Sequence, residues 1–208
     1  MNAIFISGRL QSKNNFINWD LLEKFSKLNN VKFFLSLSLD CLDLDIFNAV
    51  VKKLNVDLDC IHIENVKVPS FIYKLKKRPE TSYDNCYKQY YHNKKNIENI
   101  IKYETCYGIR FDKVVKFRLD LKHYGDINLM SPNENTIYIP DRFHYCGIND
   151  QIAFGNSDIM RRYCLLVNFI FEYCTQNNVV YNPEVLLKYH IEDKKINVER
   201  FNFVYELF

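Results

Sequence analysis

Lys113-Val114-Val115-Lys116-Phe117-Arg118-Leu119-Asp120-Leu121 is the stretch that decides how this chain folds. From Val114 to Phe117 it is rich in β-branched and aromatic residues and reads as a buried strand. The strand ends in a charged tip, Arg118-Leu119-Asp120, followed by the polar Lys122 and His123 and then Gly125. Open α/β sheets bind ligands in the crevice beyond the carboxyl ends of their strands. A carboxylate delivered there can hold a divalent metal and, through it, a diphosphate. An Asp that ends a strand and opens a turn is the plainer use of the same residue.

The chain before this stretch alternates strands with helices. Asn2 to Ser7 reads as a strand running into Ser7-Gly8-Arg9, where glycine allows close backbone approach and arginine offers a fork of donors. Leu21, Leu22, Phe25 and Leu28 recur at helical spacing. Val31 to Leu39 is a second apolar strand, Asp43 to Leu54 a helix, and Leu58 to Ile63 a third strand. The segment 67–82 carries Pro69, Pro79 and the basic cluster Lys74, Lys76, Lys77 and Arg78, which reads as a solvated loop or short helix. Thr81 or Ser82 caps a long helix that Gly108 ends. Strands and helices of these lengths predict a mostly parallel α/β sheet flanked by helices.

Past Asp120 the pattern changes. Thr136 to Pro140 is a short strand, and Gly147-Ile148-Asn149-Asp150-Gln151-Ile152-Ala153-Phe154-Gly155 is a polar turn followed by an apolar strand between two glycines. A helix capped by Ser157 or Asp158 presents Ile159, Tyr163, Leu166, Val167, Ile170, Phe171 and Cys174 on one face. Pro183 opens a last helix, with Glu184 in its first turn and His190 near its end, and Val198 to Leu207 closes the chain as one strand.

Composition narrows the class. The 208 residues, 48% hydrophobic and 25% charged, fit one globular domain over 1–208. A net charge of +3 disfavours a nucleic-acid coat or a polybasic membrane anchor. No apolar run reaches the roughly 18 residues of a membrane span, and the N-terminus reads as a strand rather than a signal peptide. Seven cysteines with no Cys-x-x-Cys pair indicate neither a disulfide framework nor a zinc ribbon, so a reduced, cytoplasmic setting is expected.

Taken in order, Ile6-Ser7-Gly8-Arg9, Phe117-Arg118-Leu119-Asp120-Leu121, Gly147 to Gly155, and Pro183-Glu184-Val185-Leu186-Leu187-Lys188-Tyr189-His190 resemble compact bacterial and large-virus glycosyltransferase-like proteins of the GT-A class. That resemblance implies a Rossmann-like single domain transferring a sugar from a nucleotide-sugar donor, a UDP-sugar first, to a hydroxyl of a glycan or glycoprotein. It implies that Asp120 coordinates Mn²⁺ or Mg²⁺ bridging the diphosphate, and that His190 completes the metal shell. Ser7, Gly8, Arg9, Arg118 and Asn149 would contact the donor, and Asp150 would be the general base. The chain departs from the Asp-x-Asp motif of that class at Arg118, which could itself neutralise phosphate charge. Two rivals stand beside this reading. One is a sugar nucleotidyltransferase, for which Ser7-Gly8-Arg9-Leu10 is a poor phosphate loop. The other is a non-catalytic glycan- or nucleotide-binding module on a degenerate transferase fold.

Overall fold

The computed structural model of the protein describes residues 1–10, 17–123 and 130–207, with the side chains of Arg9, His123 and Leu207 excepted. Gly125 lies outside the described residues. The chain runs β1 (Asn2–Leu10), α1 (Trp19–Ser26), β2 (Val31–Leu42), α2 (Leu44–Leu54), β3 (Ile61–Glu64), α3 (Tyr83–Tyr107), β4 (Lys113–Phe117) and β5 (Leu121–His123). It continues through β6 (Thr136–Pro140), β7 (Ala153–Gly155), α4 (Ser157–Cys164), α5 (Ile170–Thr175), α6 (Pro183–Asp193), β8 (Asn197–Phe201) and β9 (Tyr205–Leu207).

Seven of the described strands form one sheet in the order β3-β2-β1-β4-β7-β6-β8. The pairings β1–β2, β2–β3, β1–β4 and β6–β8 are parallel, and β7 alone runs against both its neighbours, β4 and β6. The mostly parallel, mixed sheet expected from the alternation of elements is therefore present. β1 and β4 lie at its centre, which is why Ala3, Phe5, Val114 and Phe117 are almost wholly buried. After β1 the chain builds outward through β2 and β3, then returns past α3 to place β4 on the other side of β1. The two central strands thus flank a topological switch point, where open α/β sheets leave a crevice.

Local chemistry sets most element ends. Ser82 accepts from the Asn85 N–H at 3.3 Å to start α3, and Gly108, at φ +61°, ends it. Asn18 does double duty. Its side chain accepts from Leu21 N at 3.0 Å to cap α1, and it donates to the Leu121 carbonyl at 2.9 Å, pinning the loop that leaves β4.

Three expectations are corrected. The cap before α4 is Asn156, which accepts from Ile159 N at 2.9 Å, so Ser157 and Asp158 fall inside the helix. The single amphipathic helix expected from 157 to 174 is broken by a 3-10 segment over Leu165–Asn168, which rotates Phe171 out of the core face to 51% exposure. The closing strand is two strands: β8 joins the main sheet beside β6, while β9 pairs with β5 in a small antiparallel sheet. Its alternation of side chains continues through 202–204, but among the described residues no strand pairs with it there.

Candidate functional site

A cavity of about 360 Å³ opens at the switch point. Its walls come from the carboxyl ends of β1 (Ile6, Ser7, Gly8) and β2 (Ser38), from Lys116 of β4 and the Arg118, Leu119 and Asp120 that follow it, and from the first half of α3. Strand-end placement explains why residues far apart in sequence meet here: in a parallel sheet these ends all point the same way.

Each wall is fixed by specific bonds. Asn96 of α3 donates to the Ile6 carbonyl and to Ser7 Oγ, both at 3.0 Å, holding helix to strand end. Gly8 then takes φ +121°, a conformation essentially closed to residues with a Cβ, and β1 bulges between Gly8 and Leu10. On the β2 side, His92 is fully buried between Ser36 Oγ at Nδ1 (2.8 Å) and Ser38 Oγ at Nε2 (2.7 Å). Burial pushes its imidazole down to about 4, so the ring is neutral and serves as a rigid wall.

The β4 wall carries the charge. Arg118 Nε lies 2.9 Å from Asp120 Oδ1, and its Nη2 lies 2.5 Å from Oδ2, a bidentate pair. Lys116 is wholly buried, yet lines the cavity, and its ammonium donates to the backbone carbonyl of Asp150. Burial lowers that amine to about 8, with Asp150 acting in the opposite sense. The apolar pattern of Val114–Phe117 by itself does not single this residue out. The signal was present: a lysine inside a strand buried on both faces needs a reason. Lys88 and Gln89 of α3 also line the cavity. Lys88 is held by Asp40 at 2.7 Å.

Beyond Lys116 lies the segment Gly147–Gln151. Gly147 packs so closely on α6 that an added Cβ would sit 2.1 Å from the Glu184 carbonyl oxygen, while Ile148 N donates to that same oxygen at 3.0 Å. The glycine-rich turn and the Pro183-Glu184 helix start are therefore one structural unit. Asp150, 3% exposed, accepts from Gln89 Nε2 at 2.5 Å through Oδ2. Glu184 faces the same carboxylate; its own carboxyl is raised first by burial and then by Asp150. Asn149 is fully buried, donating to the Arg142 carbonyl (2.7 Å) and Tyr205 Oη (2.6 Å) and accepting from Gln151 N (2.9 Å). It braces the turn on which Asp150 sits.

Ser7, Gly8, Arg118 and Asp120 are thus brought together around the cavity, with Asp150 one side chain behind it, through Gln89 and Lys116. The Arg9 side chain lies outside the described residues. His190 is elsewhere. It is fully buried, with Nδ1 2.9 Å from Tyr173 Oη and Nε2 donating to the Arg162 carbonyl at 2.8 Å, which leaves neither ring nitrogen for an ion.

A divalent ion of the Mn²⁺ or Mg²⁺ kind needs several oxygen ligands. Among the described residues the cavity offers one carboxylate, Asp120, both of whose oxygens are held by Arg118. Lys88 and Lys116 add further positive charge. This donor set does not fit a metal ion. Asp57, Asp59 and Cys60 do approach within 4.8 Å of one another, but they precede β3, at the opposite end of the parallel strands, and Asp57 is paired with Lys32.

No family model matches this sequence, and neither does any curated protein. Solved structures do match in fold. The galactosyltransferase LgtC, solved in complex with donor and acceptor sugar analogs, superposes with a TM-score of 0.53 at 12% identity, over 97% of this chain and 73% of that one. An active-site mutant of LgtC gives 0.51 at 12% identity over the same shares. Mouse xyloside xylosyltransferase 1 in its apo form reaches 0.49 at 10% identity, over 97% and 85%. The α/β architecture is that of the GT-A glycosyltransferases.

Proposed function

We propose that this protein is a glycosyltransferase whose nucleotide-sugar donor, a UDP-sugar by first choice, lies in the switch-point cavity. Its acceptor is a hydroxyl of a glycan or glycoprotein. The observation that carries this reading is the cationic cavity between the ends of β1 and β4, in a fold shared with a galactosyltransferase. A sugar-nucleotide diphosphate supplies the matching anion.

In this reading the acceptor oxygen attacks the anomeric carbon as the bond from that carbon to the diphosphate oxygen breaks. The electron pair of the broken bond leaves with the nucleoside diphosphate, and the acceptor proton passes by way of one water to Asp150, whose carboxylate sits behind Gln89 rather than in the cavity wall. Gln89 holds one oxygen of that carboxylate at 2.5 Å, and Oδ1 takes no hydrogen bond among the described residues. Gly8 lets the backbone approach the donor closely, and Ser7 borders it.

The locked Arg118–Asp120 pair favours a second reading, a binding module on a transferase fold with no turnover. One experiment separates the two. Release of UDP from a panel of UDP-sugars, with and without glycan acceptors, is measured for the wild type and Asp150→Asn. A transferase loses about 10²- to 10⁴-fold in rate with UDP binding retained. Binding of UDP with no release from any donor supports the module instead.

A further inference from the structure

The Lys116 ammonium is a buried cation with few partners among the described residues. It is 0% exposed, it carries three N–H donors, and among the described residues its one acceptor is the Asp150 carbonyl. Burying a charge in that state is costly unless something else pairs with it. Lys116 is one of the residues that line the cavity, and its ammonium lies one layer behind that wall at the Asp150 carbonyl, so an anion that settles there can become its partner. Arg118 is the second such group. It spends Nε and one Nη2 hydrogen on Asp120, and the rest of its fork makes no hydrogen bond among the described residues. Lys88 of α3 also lines the cavity and is paired with Asp40. Among the described residues the cavity is thus lined by three cations, of which Lys88 is paired with Asp40, and by one carboxylate, Asp120, paired with Arg118.

From this arrangement we infer that the protein binds the diphosphate of its donor without a metal ion, on the Lys116 ammonium and the free edge of the Arg118 guanidinium, with Lys88 at the rim. This inference rests on the glycosyltransferase reading and deepens it. The cations do the work that a bridging ion would do. They accept the anion in the ground state and stabilise the additional negative charge that develops as the nucleoside diphosphate leaves. Asp120 serves as a positioning residue: by gripping Nε and Nη2 it turns the remaining guanidinium edge to one fixed orientation. A planar, pre-oriented donor fork suits a phosphate oxygen pair better than a mobile lysine would.

The test is isothermal titration of the whole chain with inorganic pyrophosphate and with UDP, first in excess EDTA and then in Mn²⁺. Both probes are expected to bind in EDTA, and Mn²⁺ is expected to change either affinity by less than about threefold. Lys116→Met and Arg118→Met should each weaken both probes by at least about tenfold. If Lys116→Met does not fold, as judged by its melting transition, Arg118→Met carries the test alone. Binding that appears only on adding Mn²⁺ overturns the inference and leaves the glycosyltransferase reading standing. Pyrophosphate binding without UDP binding supports the metal-free anion site while removing the uridine donor. Wild-type affinity in both variants overturns the inference, because the anion is then held elsewhere. No binding of either probe in either condition overturns both.

Discussion

Arg118 and Asp120, two residues apart at the end of β4, close on each other through two hydrogen bonds of 2.9 and 2.5 Å. The Asp-x-Asp pattern expected from the sequence at this tip would put carboxylates at both positions. Here the first is the counter-ion of the second, and the site's charge changes sign. Arg118→Asp removes the counter-ion and frees both Asp120 oxygens. UDP affinity in EDTA should fall at least about tenfold for the lost charged contacts. The variant should also gain a Mn²⁺ site, seen as quenching of the free Mn²⁺ spin-resonance signal. A variant that neither loses metal-free affinity nor takes up Mn²⁺ would show that the pair does not face the ligand.

Lys116 makes affinity depend on pH. Its amine is pushed down to about 8, mainly by burial, with Asp150 and Asp120 opposing that shift and Arg118 adding to it. Only the ammonium form attracts an anion. UDP affinity in EDTA should therefore hold up to about pH 8 and decline above it, by up to about tenfold per pH unit, with no such decline in Lys116→Met.

The same residue affects stability in the opposite sense. A lysine whose folded value lies below its ordinary 10.5 binds more protons in the unfolded chain between about 8 and 10.5. Its charged form therefore costs stability below about pH 8, and that cost is relieved as pH rises through this window. Lys116→Met should melt higher than the wild type at pH 7, by roughly 1 to 3 kcal/mol of stability, and the gap should narrow towards pH 10. Paired denaturation curves at the two pH values measure it.

His92 and His190 are both buried and both lowered to about 4, chiefly by desolvation. Their unfolded forms take up protons near 6.5, so stability is fully present above that value and is lost as pH falls towards 4. Denaturant midpoints should drop steadily from pH 6.5 to 4, by about 3 kcal/mol for each ring. His92→Gln, which keeps partners for Ser36 and Ser38, should make that decline shallower.

Gly147→Ala places a Cβ 2.1 Å from the Glu184 oxygen and 2.2 Å from its carbonyl carbon, and neither backbone atom can step aside. The cost should be about 3 kcal/mol in a denaturant titration. Because Asp150 sits three residues further on the same turn, turnover should fall by more than UDP affinity does.

Much of the fold was legible in the sequence. Apolar runs at period 2 and stripes at period 3.6 place the strands and helices, Ser82 and Gly108 mark the ends of the long helix, and the charged tip after Phe117 marks the strand end at which the cavity opens. Those are local signals, and local sterics and burial determine them. The order β3-β2-β1-β4 was not legible, because periodicity shows which face of a strand is buried and not which strand lies beside it. Nor was the broken helix at Leu165–Asn168, or the division of the last strand between two sheets. The site divides in the same way. Ser7, Gly8, Arg118 and Asp120 stand where the strand ends put them. Whether a charged group there is a ligand donor, a counter-ion or a brace depends on partners tens of residues away: Lys116 on the Asp150 carbonyl, His92 between Ser36 and Ser38, His190 against Tyr173 and Arg162. Charges and hydrogen bonds act over a few ångströms of space, and only the packed chain sets which groups fall within that range.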